Sequence, residues 1–368
     1  AEKYIDIQRN EFKRLGVLGE WDRPYLTMNY SYQATIVREF GKFAINGSLI
    51  RSKKPIYWCI YCKTALAEAE VEYYEHTSPS IFVKFPMISD IGKIFPSLKD
   101  KQVYVVIWTT TPWTIPANLA IALHPDFDYA AVETEPDHVM IIAEALTDIC
   151  MDTWGIDKYK TIELFKAKSI EHLKAKHPLY DRVSILILAP YITLDAGTGC
   201  VHTAPGHGRE DYESGLSYGL DVYSPVDDDG KFTDDVEFFK GMQVFEANKV
   251  VNQKLKEAGA LIKEEELTHE YPHGWRCKNP VIFRSTEQWF ISMDKRGLRQ
   301  KALEAIKKVS WIPEWGQDRI YALIENRPDW CISRQRSWGV PLVLFHCNKC
   351  NNVLISKEII DHVASMIE

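Results

Sequence analysis

The stretch Val103–Pro116, VYVVIWTTTPWTIP, limits the fold more than any other part of the chain. Its first five residues are β-branched and aromatic with no breaker, which predicts a buried strand. Pro112 and Pro116 then remove two backbone donors and push Thr111 and Ile115 away from the helical region, so the strand must run into a rigid loop. That loop holds three successive hydroxyls, Thr109, Thr110 and Thr111, and the large indole of Trp113. A strand end that is merely solvated needs none of this, so the stretch is a candidate binding loop.

The chain has 368 residues, which calls for two or three domains rather than one core. Short apolar runs at 81–85, 103–107, 129–133, 184–188 and 199–203, separated by Gly, Pro and Asp turns, predict a β-barrel-like α/β domain over residues 80–270. Residues 29–46 have helical periodicity, with Ile36, Val37, Phe40, Phe43 and Ala44 on one face and Gly47 as the stop. Further helices are expected over 247–258, capped by Gly259, and over 298–309 and 317–325. No run approaches the ~18 apolar residues of a membrane span. The charged first residues carry no signal peptide, and the expected compartment is the cytoplasm. The net charge of −7 excludes a strongly basic nucleic-acid binder, although a local basic face would suffice to bind RNA.

Of eight cysteines, four form two Cys-x-x-Cys pairs, Cys59/Cys62 and Cys347/Cys350, whose spacing lets two thiolates grip one tetrahedral ion. The expectation is one structural zinc shared by all four. Cys150, Cys200, Cys277 and Cys331 stand alone among apolar neighbours and are expected in the core.

A second motif, GTGCVHTAPGHGREDYE (197–213), has glycines dense enough for close backbone approach to a ligand, together with His202, His207 and Asp211. Those three side chains permit a metal-triad reading, although the bend at Pro205 need not leave both histidines on one face. The VDDDGKFT stretch (226–233) imitates a calcium loop but fails its register, which leaves a polar turn. Phosphate-binding loop, dinucleotide fingerprint and nucleophile elbow are all absent from the sequence. What remains is a pocket of hydroxyls, one aspartate and one or two histidines without a nucleophile. Such a pocket can hydrolyse an activated bond by placing water and anchoring a charged group.

Together the two motifs resemble the editing domain of isoleucyl-tRNA synthetases of bacterial type. GVLGEWDRPYLTM (16–28), PIYWCIYCKTALAEAEVEY (55–73), YPHGWRCKNPVIFRSTEQWF (271–290) and NRPDWCISRQRSWGVP (326–341) resemble the catalytic body around it. The resemblance implies an editing domain at 80–270 inserted into parts of a Rossmann-type class I body at 1–79 and 271–368, with a zinc knuckle shared by the two flanks. The His-Ile-Gly-His and Lys-Met-Ser-Lys-Ser signatures are absent, which marks the chain as an internal fragment and reserves ATP for the full-length enzyme.

By the same resemblance, Asp211 holds the α-amino group of a mischarged amino acid. Thr109, Thr110 and Thr111 place the substrate and water, with Asn118, Trp113 and His207 lining the site, and His202 forms the wall that admits valine and excludes isoleucine. The implied partner is tRNA(Ile) through its aminoacylated 3′ end, bound by a monomer. Two rivals are a metal-dependent hydrolase built on His202, His207 and Asp211, and a non-catalytic zinc-ribbon module that binds RNA.

Overall fold

The computed structural model describes residues 1–368. In chain order, helices α1 (Glu2–Arg14) and α2 (Tyr30–Ile45) precede strands β1 (Leu49–Cys59), β2 (Thr64–Leu66) and β3 (Val71–Pro86). Strands β4 (Gln102–Thr109), β5 (Ala120–Leu123), β6 (Asp128–Glu135) and β7 (His138–Ala143) lead to helix α3 (Thr147–Trp154). Next come β8 (Lys160–Lys166), β9 (Lys174–Lys176), β10 (Val183–Leu188), β11 (Cys200–Thr203), α4 (Arg209–Ser217) and α5 (Val244–Glu257). The remaining strands are β12 (Leu261–Gly274), β13 (Ile282–Ile291), β14 (Trp330–Cys331), β15 (Phe345–His346) and β16 (Val353–Leu354). The remaining helices are α6 (Leu298–Ile306), α7 (Gly316–Glu325) and α8 (Lys357–Ile367).

The chain divides into two compact units. The smaller comprises residues 1–50, 291–329 and 336–368, and the larger 51–290 with 330–335. In the smaller unit, α2 packs Ala34 and Val37 against Ile360 and Ala364 of α8. The apolar stripe therefore differs from the one expected: Ile36 is 40% exposed, because the face that meets α8 is set by the small residues that let the helices approach. The stop signal holds, since Gly47 takes φ +80 just beyond the end of α2.

The larger unit is built on a ten-stranded mixed sheet. Its main path runs β8-β6-β7-β4-β11-β5-β10-β9, with β3 paired to β4 and β12 to β3. Strand β4 carries β3 on one edge, while β7 and then β11 share the other, as the partners of Tyr104 and Trp108 show. The sheet splits there and curls as a half barrel. Just past β3, Met87 bridges Ala175 of β9 and Ile88 N–H donates to Lys174 O at 2.9 Å, which draws the two ends of the curl together. Ile81, Val83, Phe85, Val105, Ile107, Ile121 and Leu123 fill the interior with no exposed surface. Burying each such side chain is worth about 1.5–3 kcal/mol, so this alternating set is what fixes the register.

Strand β12 and the first half of β3 have no such signal in the sequence. Residues 261–270 read LIKEEELTHE, with little apolar alternation, yet they form a ribbon paired with β3 from Leu261↔Val83 to Gly274↔Val71. The pairing is made by backbone hydrogen bonds rather than by burial, so the pattern of side chains hides it. Residues 226–233 do form a polar turn: Asp227 Oδ1 accepts from the N–H groups of Asp229 and Lys231, and Gly230 takes φ +72.

Two glycines of the 197–213 motif are required by geometry. Gly199 sits at φ +70, and a Cβ there would lie 2.4 Å from that of Ala143. At Gly206 a Cβ would lie 2.1 Å from the carbonyl oxygen of Tyr223. Backbone gives way less readily than a side chain, so Gly206→Ala is expected to cost roughly 3 kcal/mol of stability. Urea unfolding measures this, and an unchanged midpoint would contradict it.

Candidate functional site

The site arises from strand order. Strand β11 lies parallel to β4, with Val201 opposite Trp108, and antiparallel to β5, with His202 opposite Ile121. Because β4 and β11 run the same way, the threonine loop after β4 and the glycine-rich loop after β11 leave the sheet at one end. In open α/β sheets this carboxyl end is where ligands bind. Two motifs far apart in sequence thus become neighbours.

The threonine loop is a short turn of 3-10 helix, Pro112–Ala117, fully buried. Its prolines cannot complete a backbone ladder, so side chains from elsewhere do so. Asn248 Oδ1 accepts from Trp113 N–H at 2.9 Å, His177 Nε2–H donates to Ile115 O at 2.8 Å, and Arg182 donates to Pro116 O. Within the loop, Thr109 and Thr111 hydroxyls share a hydrogen bond at 3.2 Å, and Thr111 and Thr114 share another at 3.3 Å.

His202 is locked into this chain of bonds. Asn118 Nδ2 donates to His202 Nδ1 at 2.9 Å, so the ring proton resides on Nε2, which donates to Thr114 Oγ1 at 2.8 Å. Thr114 in turn donates to Thr111 O at 2.8 Å, while Ser184 donates to Asn118 Oδ1. Burial pushes the imidazole down to about 3, so it stays neutral in use. Both ring nitrogens are occupied, which leaves no lone pair for a metal. His207 donates from Nδ1 to Phe283 O at 3.0 Å and stands edge-on to Trp113, 5.0 Å between ring centres. The metal-triad reading is therefore corrected: His202 is consumed by Asn118 and Thr114, and His202, His207 and Asp211 do not form a group with metal-ligand geometry.

Asp211 lies in the first turn of α4. Its Oδ2 accepts from Ala204 N–H at 2.8 Å and its Oδ1 from Tyr191 at 3.4 Å. Burial raises its carboxyl to about 6, with the Ala204 bond opposing and nearby Glu210 adding to the rise. A sheltered carboxylate with so few donors is short of one positive partner.

Three site residues escape a reading of the sequence. Thr114 stands inside the threonine loop with no signal of its role; Ser184 and Tyr191 come from β10 and the turn after it, and only the fold shows their partners. The fourth omission is Cys277. The sequence presents it as an isolated core thiol, yet its Sγ lies 3.5 Å from that of Cys59, and Cys59, Cys62 and Cys277 bring all three sulfurs within 4.8 Å of one another. Four-coordinate zinc with bonds of about 2.3 Å sets its sulfurs ~3.8 Å apart, so the group fits such an ion. Cys277 thus adds a third thiol, from a remote segment, to the Cys59/Cys62 pair. Cys347 and Cys350 are exposed and belong to the smaller unit.

The whole chain, residues 1–368, matches the family described as tRNA synthetases class I (I, L, M and V). It is 57% identical over 366 residues to the isoleucine–tRNA ligase of Geobacter sulfurreducens, covering 100% of this chain and 39% of that protein. It is 56% identical over 368 residues to the isoleucine–tRNA ligase of Syntrophotalea carbinolica, covering 100% and 40%. The chain thus spans about two fifths of the length of these curated relatives. Among solved structures it is similar to the cytosolic leucyl-tRNA synthetase editing domain of P. knowlesi, at 12% identity and a TM-score of 0.41, over 50% of this chain and 96% of that one.

Proposed function

This chain belongs to the class I tRNA synthetases (I, L, M and V), and we propose from that premise that its larger unit edits: it hydrolyses the ester joining valine to tRNA(Ile). The observation that carries the reading is the meeting, at one sheet end, of a hydroxyl loop and a sheltered carboxylate that lacks a cation. Asp211 takes the α-ammonium of the amino acid. Thr109, Thr110 and Thr111 position the ester and an attacking water, Asn118 and Thr114 hold His202 in place, and His202 bounds the space for the side chain. Trp113 and His207 wall the loop from behind. The reaction needs no covalent intermediate, since an aminoacyl ester is already activated and placement supplies the rate.

A second site answers a limit of magnitude. One methylene is worth only about 1–3 kcal/mol in a pocket, a figure whose standard illustration is the isoleucyl enzyme itself. A pocket that admits only the smaller product supplies the missing discrimination. The synthetic reaction with ATP and isoleucine belongs to the full-length enzyme, and hydrolysis of valyl-adenylate uses the same contacts. We read the protein as a cytoplasmic monomer that meets tRNA through its 3′ end; no helix is long and apolar enough to cross a membrane.

The test is deacylation of Val-tRNA(Ile) and Ile-tRNA(Ile) by this chain. Valine-selective release supports the reading, and equal rates or none overturn it. The pH profile is a sharper check. Only ionised Asp211 holds an ammonium, so kcat/KM is expected to rise through about pH 6 and level off above pH 7. A flat profile from about pH 5 to 8 would remove Asp211 from the ground-state contact.

Cys59, Cys62 and Cys277 would hold zinc, which bound there ties the β1–β2 turn to the segment between β12 and β13. Burial pushes the Cys59 thiol up to about 12, so without a metal it keeps its proton, and a zinc ion bound there would displace it. Metal analysis is expected to find zinc lost in Cys277→Ser and kept in Cys347→Ser; the reverse pattern would assign the ion to the other pair.

A further inference from the structure

The group at the β1–β2 turn offers three thiols, Cys59, Cys62 and Cys277, and no fourth His, Cys, Asp or Glu joins them. Four-coordinate zinc needs one more donor. The backbone shows where its place is. Residues 347–351 form a tight turn in which Asn351 N–H donates to Cys347 O at 2.8 Å and Asn351, just after the second thiol, takes φ +56. Lys63, just after Cys62, takes φ +50 in the same way. The turn 274–278 repeats the design: Lys278 N–H donates to Gly274 O at 2.8 Å, and Lys278, just after Cys277, takes φ +57. In the other two turns a cysteine stands three residues before the second thiol, and here that position is Gly274. Nothing in the backbone requires a glycine there. Its φ lies outside the left-handed region, and a Cβ at 274 would meet Cys277 Sγ at 3.4 Å, Leu66 Cδ1 at 3.6 Å and Val281 Cγ1 at 3.7 Å, all ordinary contacts. The glycine omits a side chain that the fold would accommodate.

We propose that a metal held by Cys59, Cys62 and Cys277 keeps an open fourth corner beside Gly274, and that this corner binds a small alkyl thiol as its thiolate. The inference rests on the reading of those three residues as zinc ligands. What the chain omits at 274 is one methylene and one sulfur, so a short alkyl thiol supplies the missing donor. Leu66 and Val281, both buried, form the apolar side of that corner. Such a wall disfavours a strongly hydrated ligand, a carboxylate or hydroxide, and suits a polarisable sulfur. Cys62 and Cys277 are only partly buried, so a small solute reaches the group from solvent. Binding is an exchange of ligands: the thiol gives its proton to solvent, its sulfur donates a lone pair to the metal, and the water that fills an open zinc corner leaves. No oxidant or reductant is consumed.

Cobalt(II) is the probe, because it adopts the tetrahedral geometry of zinc and its sulfur-to-metal charge-transfer absorption grows with the number of thiolates. It is titrated into the 368-residue chain carrying Cys347→Ser and Cys350→Ser, exposed positions whose replacement silences the other pair. The band is expected to rise by about a third on saturation with 2-mercaptoethanol, the step from three sulfurs to four. Adding Gly274→Cys is expected to give the higher intensity from the start, with no response to the thiol. Gly274→Ala should stay at the three-thiolate intensity, which assigns the effect of cysteine to its sulfur. A band unmoved by 2-mercaptoethanol, a spectral change with imidazole alone, or Gly274→Cys left at the three-thiolate intensity would overturn the proposal. Cys277→Ser separates the two readings. A band that this variant abolishes but that ignores the thiol sinks only the open corner, whereas a band indifferent to Cys277→Ser sinks the zinc assignment as well.

Discussion

Replacing Asp211 with asparagine is expected to lower kcat/KM for release of valine from Val-tRNA(Ile) about a hundredfold, the loss of a charge-assisted contact that fixes the substrate. Asparagine is the informative replacement because it keeps an oxygen for Ala204 N–H, so the turn into α4 stays satisfied, and removes only the charge. Alanine removes both and adds a buried orphan donor. The variant also carries a stability signature. The Asp211 carboxyl is raised in the folded protein, so the folded state binds the proton more tightly than the unfolded chain, and ionising it counts against folding. The Asp211→Asn variant therefore gains over the parent as pH rises from about 4 to 6, keeps that gain above, and loses it below about pH 4. Stability and activity should thus move in opposite directions at neutral pH. Joint loss of both would show that Asp211 merely holds the loop, and unchanged hydrolysis would remove it from the site.

His202→Ala is expected to erase the choice between valine and isoleucine, with Ile-tRNA(Ile) hydrolysed within about threefold of the valyl ester, since a pocket without its wall discriminates only weakly by one methylene. The substitution opens a cavity and releases two hydrogen bonds, so a loss of roughly 2–3 kcal/mol in stability accompanies it. Thr114→Val separates the two effects. It keeps the volume and the imidazole but removes the acceptor for His202 Nε2–H together with the bonds of the Thr114 hydroxyl to Thr111, which should cost about 2–3 kcal/mol and leave isoleucine excluded. If Thr114→Val loses selectivity as fully as His202→Ala, then orientation of the imidazole, rather than its bulk, sets the limit. Retained valine preference in His202→Ala would place the wall elsewhere. Thr114→Val should add no pH dependence above about 4, because the imidazole is neutral throughout that range.

What the sequence by itself determined was local. Strand β4 followed from a β-branched run, the rigid loop after it from two prolines, and the stop of α2 from Gly47. The 197–213 motif announced close backbone approach, which Gly199 and Gly206 make. Each of these consequences is written in adjacent residues, through forbidden dihedrals or a missing donor. The family membership was legible in the same way, since the motifs that carry it are contiguous.

Only the tertiary structure decided who meets whom. The ribbon strand β12 is specified by backbone pairing with β3, to which its glutamates contribute no pattern. In the sequence His202 resembles a ligand; in the fold Asn118 and Thr114 occupy both of its nitrogens. Cys277 looks like a lone core thiol, because spacing within a motif says nothing of the thiol that the fold brings to Cys59 and Cys62 from a remote segment. The joining of the two motifs rests on one register, Val201 opposite Trp108, and on the parallel direction of β4 and β11. Strand order is a global property, fixed by how the whole set of apolar faces packs around one interior, and no short window of residues contains it.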